Sequence, residues 1–180
     1  VDAIYERPFP DRIWLRDVPG LEDWFRHRLQ TRLFPMLQSL YPHIIAKPDD
    51  VRCHDTVVVR YDADGMDSLE THRDATSFSF TIALNRADDY EGGGTSFPLL
   101  KAEDDGPGEP FRRLAVKTDI GGVVVFPGQC FHGGNKITSG HRCIIPLFIF
   151  LDHNESRRNR GYILDELKSA SVLDNAACVF

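Results

Sequence analysis

The sequence predicts a mainly β domain with supporting helices, a jelly-roll (cupin-like) barrel, and three observations carry that expectation. A helical stripe occupies the first part of the chain, short β-rich runs follow it, and Gly/Pro turn signals separate those runs. With 180 residues and 42% hydrophobic content, the chain fits one domain able to bury its own core. We divide it into a helical support (1–50), a jelly-roll core (55–152) and a C-terminal tail (153–180).

From Leu21 to Tyr41, the residues Leu21, Trp24, Phe25, Leu29, Leu33, Met36, Leu37 and Leu40 recur at the three-and-four spacing of an amphipathic helix. Pro19 sits where a helix can begin, and Glu22 and Asp23 place carboxylates in the first turn, where they suit the helix dipole. Pro35 lacks an amide hydrogen and should kink or restart the helix, so two segments are expected. This stripe is core-forming and carries no chemistry.

Beyond Asp55 the expected strands are Val57 to Tyr61, Phe78 to Leu84, Leu114 to Val116, Val123 to Phe126 and Ile144 to Leu151. Between them stand Asp64-Gly65, Gly92-Gly93-Gly94, Gly106-Pro107-Gly108, Gly121-Gly122, Pro127-Gly128 and Gly133-Gly134, which neither a helix nor a long strand tolerates. One further helix is expected from Ser156 to Ala170, with Tyr162, Ile163 and Leu167 inward.

The formal net charge of −6 and the absence of any long Lys/Arg cluster argue against a nucleic-acid partner. The longest strongly apolar stretch, Cys143 to Leu151, is about half of what a membrane span needs. Cys53, Cys130, Cys143 and Cys178 have neither zinc-site spacing nor the density of a disulfide framework. The chain begins at Val1 with no signal-like apolar segment, as expected of a trimmed piece of something longer, so both the ER lumen and the cytoplasm stay open.

The chemistry concentrates elsewhere. His72-Arg73-Asp74 sets an imidazole and a carboxylate two residues apart, so on extended backbone both side chains project to one face and can share an ion. His132, 58 residues after Asp74 in Phe131-His132-Gly133-Gly134, is the candidate third ligand. Two imidazoles and one carboxylate fill one face of an octahedron and leave the rest open, the arrangement of iron(II) oxygenases. Arg142 opens the last apolar strand; if that strand runs beside the one ending near His132, the guanidinium points into the barrel and can clamp a carboxylate. Tyr61, on the strand before the H-x-D, is a candidate hydroxyl donor to the same molecule. Taken singly, each residue is more often structural; their joint order is what points to catalysis.

With these residues in place, the stretch from Asp55 to Asp152 resembles the 2-oxoglutarate- and iron(II)-dependent dioxygenases of the prolyl and lysyl hydroxylase type. The segments His72 to Asn85 (HRDATSFSFTIALN) and Asp89 to Phe97 (DYEGGGTSF) look especially like the lysyl hydroxylase catalytic domain. The resemblance implies a double-stranded β-helix, iron(II) at His72, Asp74 and His132, 2-oxoglutarate held through its far carboxylate by Arg142, O₂ as co-reactant and ascorbate as a supporting reductant. It implies hydroxylation of lysyl or prolyl residues in a protein or peptide, with 2-oxoglutarate decarboxylated to succinate and CO₂. The alternatives are a hydroxylase of a free amino acid or small metabolite, and a cupin-like module that holds metal without turnover; the full ligand set with Arg142 speaks against the latter. Thr95 stands where lysyl hydroxylases often carry Cys, which leaves the substrate class open, and the carboxylate of Asp74 argues against halogenase relatives.

Two acidic loops bear on the substrate. Asp62 to Glu70 carries four acids and no Lys or Arg, and feeds directly into the H-x-D; Glu103, Asp104, Asp105 and Glu109 occupy the long loop after the glycine run. The first has an Asp-x-Asp start, but its glycine position and missing final glutamate do not fit a calcium loop. If both rim the pocket, their field favours a basic substrate.

Overall fold

The computed structural model describes residues 12–54, 56–100 and 114–151, together with the backbone of 178 and 179. Strand β1 (Arg12–Trp14) precedes helices α1 (Leu21–Arg28) and α2 (Phe34–Leu40), and ten further strands follow: β2 (Val51–Cys53), β3 (Val57–Asp62), β4 (Leu69–His72), β5 (Phe78–Ala83), β6 (Tyr90–Gly92), β7 (Thr95–Phe97), β8 (Leu114–Val116), β9 (Val123–Pro127), β10 (His132–Gly134) and β11 (Ile137–Leu151). A last short strand, β12 (Cys178–Val179), ends the series.

The helical stripe forms as expected, with one correction. Between α1 and α2 the residues Leu29–Leu33 widen into a π-helical turn, and the amide of Phe34 reaches the carbonyl of Leu29. Pro35, at the start of α2, is the cause: without its amide the regular ladder cannot continue, and one wide turn absorbs the misfit. Phe25, Leu29, Phe34 and Leu37 are buried, whereas Trp24, part of the expected stripe, is 52% exposed.

The larger sheet runs in the order β1-β3-β11-β5-β9-β12, and β2 and β6 pair with the two ends of β11. The smaller sheet runs β4-β10-β7-β8, and all pairs are antiparallel. These are the two sheets of the jelly-roll architecture. The five expected strands all form, although the last begins earlier, at Ile137. The N-terminal support also supplies an edge strand, since β1 pairs with β3.

Side-chain alternation assigns the faces of the large sheet. Phe78, Phe80, Val123, Val125, Ile145, Leu147 and Ile149 join Phe25, Leu29, Phe34 and Leu37 in one core between sheet and helices, where the Tyr41 and Phe78 rings lie 4.5 Å apart. The intervening positions Ser79, Thr81, Arg142, Ile144, Pro146 and Phe148 line a cavity between the sheets. Ile149, fully buried on β11, tests this core: Ile149→Val is expected to cost about 0.5–1.5 kcal/mol, read from denaturant or thermal melts.

The expected neighbour of the Arg142 strand is not the observed one. β5 separates β11 from β9, and β11 pairs instead with β3, which sets Arg142 opposite Tyr61. Arg142 is nonetheless buried and faces the cavity. The expected helix at 156–170 and the acidic loop at 103–109 lie outside the described residues.

Candidate metal centre

His72 closes β4 and His132 opens β10, and antiparallel pairing sets the two directly opposite each other. This contact lets residues 60 apart in sequence present their rings at a centroid distance of 4.4 Å. Gly133 makes it possible, because a Cβ there would stand 2.7 Å from the Leu69 carbonyl oxygen. Asp74, just past β4, is anchored through its own backbone: its amide donates to the Gly128 carbonyl at 2.8 Å, and its carbonyl accepts from Gln129 Nε2 at 3.1 Å.

Three ligand atoms converge. His72 Nε2 lies 3.5 Å from Asp74 Oδ1 and His132 Nε2 lies 3.4 Å from Asp74 Oδ2, and one donor atom from each residue falls within 4.8 Å of the others. Each imidazole donates from Nδ1 to the carbonyl two residues earlier, His72 to Glu70 at 2.8 Å and His132 to Cys130 at 2.9 Å. Because a carbonyl only accepts, the proton belongs on Nδ1 and the Nε2 lone pairs face the carboxylate. His72 Nε2 is shielded from solvent and makes no hydrogen bond. Lone pairs and an anion crowded in this way call for a cation between them, and two nitrogens with one oxygen suit iron(II). The Phe126 ring, 4.5 Å from that of His132, holds the imidazole from behind.

The electrostatics agree. Burial would raise the Asp74 carboxyl, but the imidazoles of His132 and His72 whenever they are protonated, together with the Ser79 hydroxyl, outweigh it and hold the group far below the usual carboxylate range. Burial lowers His72, yet the Asp74 contact and the Glu70 carbonyl raise it, for a net shift above its ordinary 6.5. Metal binding needs the unprotonated ring, so protons compete with metal up to a pH above that value. Without metal, the stability from the raised His72 is present below pH 6.5 and fades as pH rises through its folded value. The rise in melting temperature on adding metal is therefore expected to be small near pH ~6 and larger near pH ~8. Melts with and without metal across pH check this, and a pH-independent rise would contradict it.

Arg142 is 5% exposed and has no carboxylate partner among the described residues. Its Nη1 donates to the Gly94 carbonyl at 3.1 Å and its Nη2 to Thr95 Oγ1 at 3.2 Å. The glycine run makes the first contact possible: Gly92, Gly93 and Gly94 all have positive φ, and a Cβ on Gly94 would stand 2.9 Å from the Val116 carbonyl oxygen. Tyr61, with its ring centroid 5.7 Å from the guanidinium carbon, is buried beside it. Burial pushes the Tyr61 and Tyr90 hydroxyls up and the guanidinium down, and attraction between Arg142 and the tyrosines offsets part of each shift. The guanidinium stays charged.

All five residues singled out in the sequence, His72, Asp74, His132, Arg142 and Tyr61, thus line one cavity. Sequence reasoning missed Ser79 and Tyr90, and read Thr95 only as a mark of substrate class rather than as a partner of Arg142. For Ser79 the available signal was the alternation of hydroxyl and apolar residues along β5, Phe78-Ser79-Phe80-Thr81-Ile82. The acidic loop after β3 is less bare than its sequence suggests, because Arg60 pairs with Asp62 at 2.6 Å and Lys136 with Asp67 at 3.0 Å. Lys136, 68% exposed and so engaged, lies on the surface. A larger groove of about 780 Å³ between α1 and β2 holds none of the five residues.

No family model matches the chain. It is 32% identical over 133 residues to human multifunctional procollagen lysine hydroxylase and glycosyltransferase LH3, a match covering 72% of this chain and 16% of that protein. It is 33% identical over 141 residues to rat procollagen-lysine,2-oxoglutarate 5-dioxygenase 1, covering 76% of this chain and 17% of that one. The chain therefore spans about a sixth of the length of these relatives. Among solved structures, a 2OG-Fe(II) oxygenase family oxidoreductase from Burkholderia pseudomallei superposes with a TM-score of 0.54 at 19% identity, over 76% of this chain and 60% of that one. The α-ketoglutarate-dependent carbocyclase SnoK of nogalamycin biosynthesis does so with a TM-score of 0.54 at 14% identity, over 83% and 69%. These two likenesses establish the fold.

Proposed function

Because the chain belongs to the 2-oxoglutarate- and iron(II)-dependent oxygenases, as a relative of the procollagen lysyl hydroxylases, we propose that it hydroxylates lysyl or prolyl residues of a protein or peptide. In this reading 2-oxoglutarate is decarboxylated to succinate and CO₂, one atom of O₂ entering succinate and the other the substrate. Residues 1–180 act as one catalytic domain. The observation that supports it most is that His72, Asp74 and His132 share one cavity with a buried arginine that has no carboxylate partner among the described residues.

Nε2 of His72, Nε2 of His132 and an oxygen of Asp74 would hold the iron(II), which when bound supplies the redox chemistry that no side chain can. The chain's own groups do the rest. Arg142 would offer its fork of donors to the far carboxylate of 2-oxoglutarate, and the Tyr61 hydroxyl, lining the same cavity, would donate to the same end. Ile144, Pro146 and Phe148 make the cavity wall apolar and limit water.

If the loop after β3 borders the mouth, a basic substrate would meet Asp64 and Glu70, which are exposed and have no ion-pair partner among the described residues, whereas Asp62 and Asp67 are already neutralised. Mass spectrometry of paired basic and acidic peptides and free amino acids, incubated with iron(II), 2-oxoglutarate and ascorbate, tests the reading. A gain of one oxygen on a basic peptide, with turnover falling as salt rises, is expected. A gain only on a free amino acid favours the small-molecule alternative. No gain anywhere, with no 2-oxoglutarate-dependent succinate, overturns the proposal and leaves the metal-binding module.

A further inference from the structure

The two oxygens of the Asp74 carboxylate are not equivalent. Oδ2 accepts a hydrogen bond from Ser79 Oγ at 2.5 Å and lies 3.4 Å from His132 Nε2, whereas among the described residues no hydroxyl reaches Oδ1, whose polar neighbour is His72 Nε2 at 3.5 Å. Ser79 is in turn 3.0 Å from Thr76 Oγ1. Both hydroxyls are buried, Ser79 at 3% exposure and Thr76 fully, so neither trades its partner for water. The proton directions follow from valence. A carboxylate only accepts, so Ser79 gives its single proton to Asp74, and Thr76 must donate to the Ser79 oxygen. The backbone holds this chain of bonds rigid, since Ser79 lies in the central strand β5 and Thr76 lies against Gly128, where no Cβ would fit.

We propose that Ser79, oriented by Thr76, is a positioning residue that keeps Asp74 a one-oxygen metal ligand. Two imidazoles and one carboxylate oxygen take half of an octahedron, which leaves room for a chelating 2-oxo acid and for O₂. A carboxylate gripping through both oxygens takes one position more, at the expense of the cosubstrate. By occupying one lone pair of Oδ2 and drawing on its charge, Ser79 makes Oδ1 the freer oxygen for the ion and disfavours a grip through both.

This inference rests on the oxygenase reading, and the experiment separates the two. Parent, Ser79→Ala, Ser79→Thr and Thr76→Val are titrated anaerobically, first with iron(II) alone and then, iron-loaded, with 2-oxoglutarate, following the visible charge-transfer band. Ser79→Ala is expected to bind iron(II) as the parent does yet to need about tenfold to a hundredfold more 2-oxoglutarate for the band. Ser79→Thr, which keeps a hydroxyl, restores the parent titration, and Thr76→Val, which leaves Ser79 unoriented, shifts it in the direction of Ser79→Ala. An unchanged 2-oxoglutarate titration in Ser79→Ala, or a loss of iron equal to the loss of cosubstrate, overturns the inference. If Ser79→Ala does not fold, an unchanged titration in Thr76→Val overturns it instead. A parent protein that binds iron but gives no band overturns the oxygenase reading, and this inference with it.

Discussion

Alanine at His72, Asp74 or His132 is expected to reduce oxygenase activity to background and to lower iron(II) affinity by about a hundredfold or more, because even outer-shell losses cost ~10–100-fold. The three residues supply every ligand atom in the cluster, and none has a neighbour that could replace it: the described His, Cys, Asp and Glu side chains form no other such group. Alanine at His27, His43, His54 or His141 is expected to leave activity intact, since none of these lines the cavity. His153, outside the described residues, is expected to be dispensable on sequence grounds. Metal content after dialysis, read beside the anaerobic charge-transfer band, checks the set. Full metal content in all three ligand variants would show that the ion sits elsewhere.

His72 and Asp74 were legible in the sequence because their chemistry is local: two residues of extended backbone bring an imidazole and a carboxylate to one face wherever the strand sits. His132 was legible by its type and its glycines, but its place opposite His72 depends on β4 and β10 pairing across the barrel, and no local pattern encodes a long-range register. Arg142 shows the same division. Its burial followed from standing at the head of an apolar strand, while its neighbour was misjudged, because sequence adjacency says nothing of β5 inserting between β9 and β11.

Ser79 was hidden by the opposite effect. In Phe78-Ser79-Phe80-Thr81-Ile82 the period of two is plain, but it reads as one polar and one apolar face, and so suggests a solvated side. Here the hydroxyl face turns to the inter-sheet cavity, and both faces of β5 are buried. Of the two ion pairs in the acidic loop, Arg60–Asp62 is local, two residues apart on β3, whereas Asp67 is met by Lys136 from the turn between β10 and β11, which no local pattern encodes. What the sequence conveyed was the type of each ligand. The spacing between ligands came from strand pairing.

Arg142→Ala is expected to weaken 2-oxoglutarate binding by about 1.5–3 kcal/mol, roughly ten- to a hundredfold, while leaving iron(II) affinity within a few-fold of the parent. The reason is the charge balance of the cavity. Arg142 has given up water for one carbonyl and one hydroxyl, Gly94 and Thr95, and no carboxylate among the described residues offsets its charge. A dicarboxylic cosubstrate brings the missing anion, so the desolvation already borne by the guanidinium becomes binding energy for the ligand. Two consequences separate a clamp from a structural arginine. Arg142→Lys should recover part of the lost affinity as a point charge without the fork. Arg142→Met, of similar bulk and no charge, should leave the cosubstrate-free protein at least as stable as the parent in thermal melts, while abolishing the extra stability that 2-oxoglutarate gives the parent. If Arg142→Ala and Arg142→Met both saturate at the parent's 2-oxoglutarate concentration, Arg142 is not the clamp, and the carboxylate must be held from another wall of the cavity.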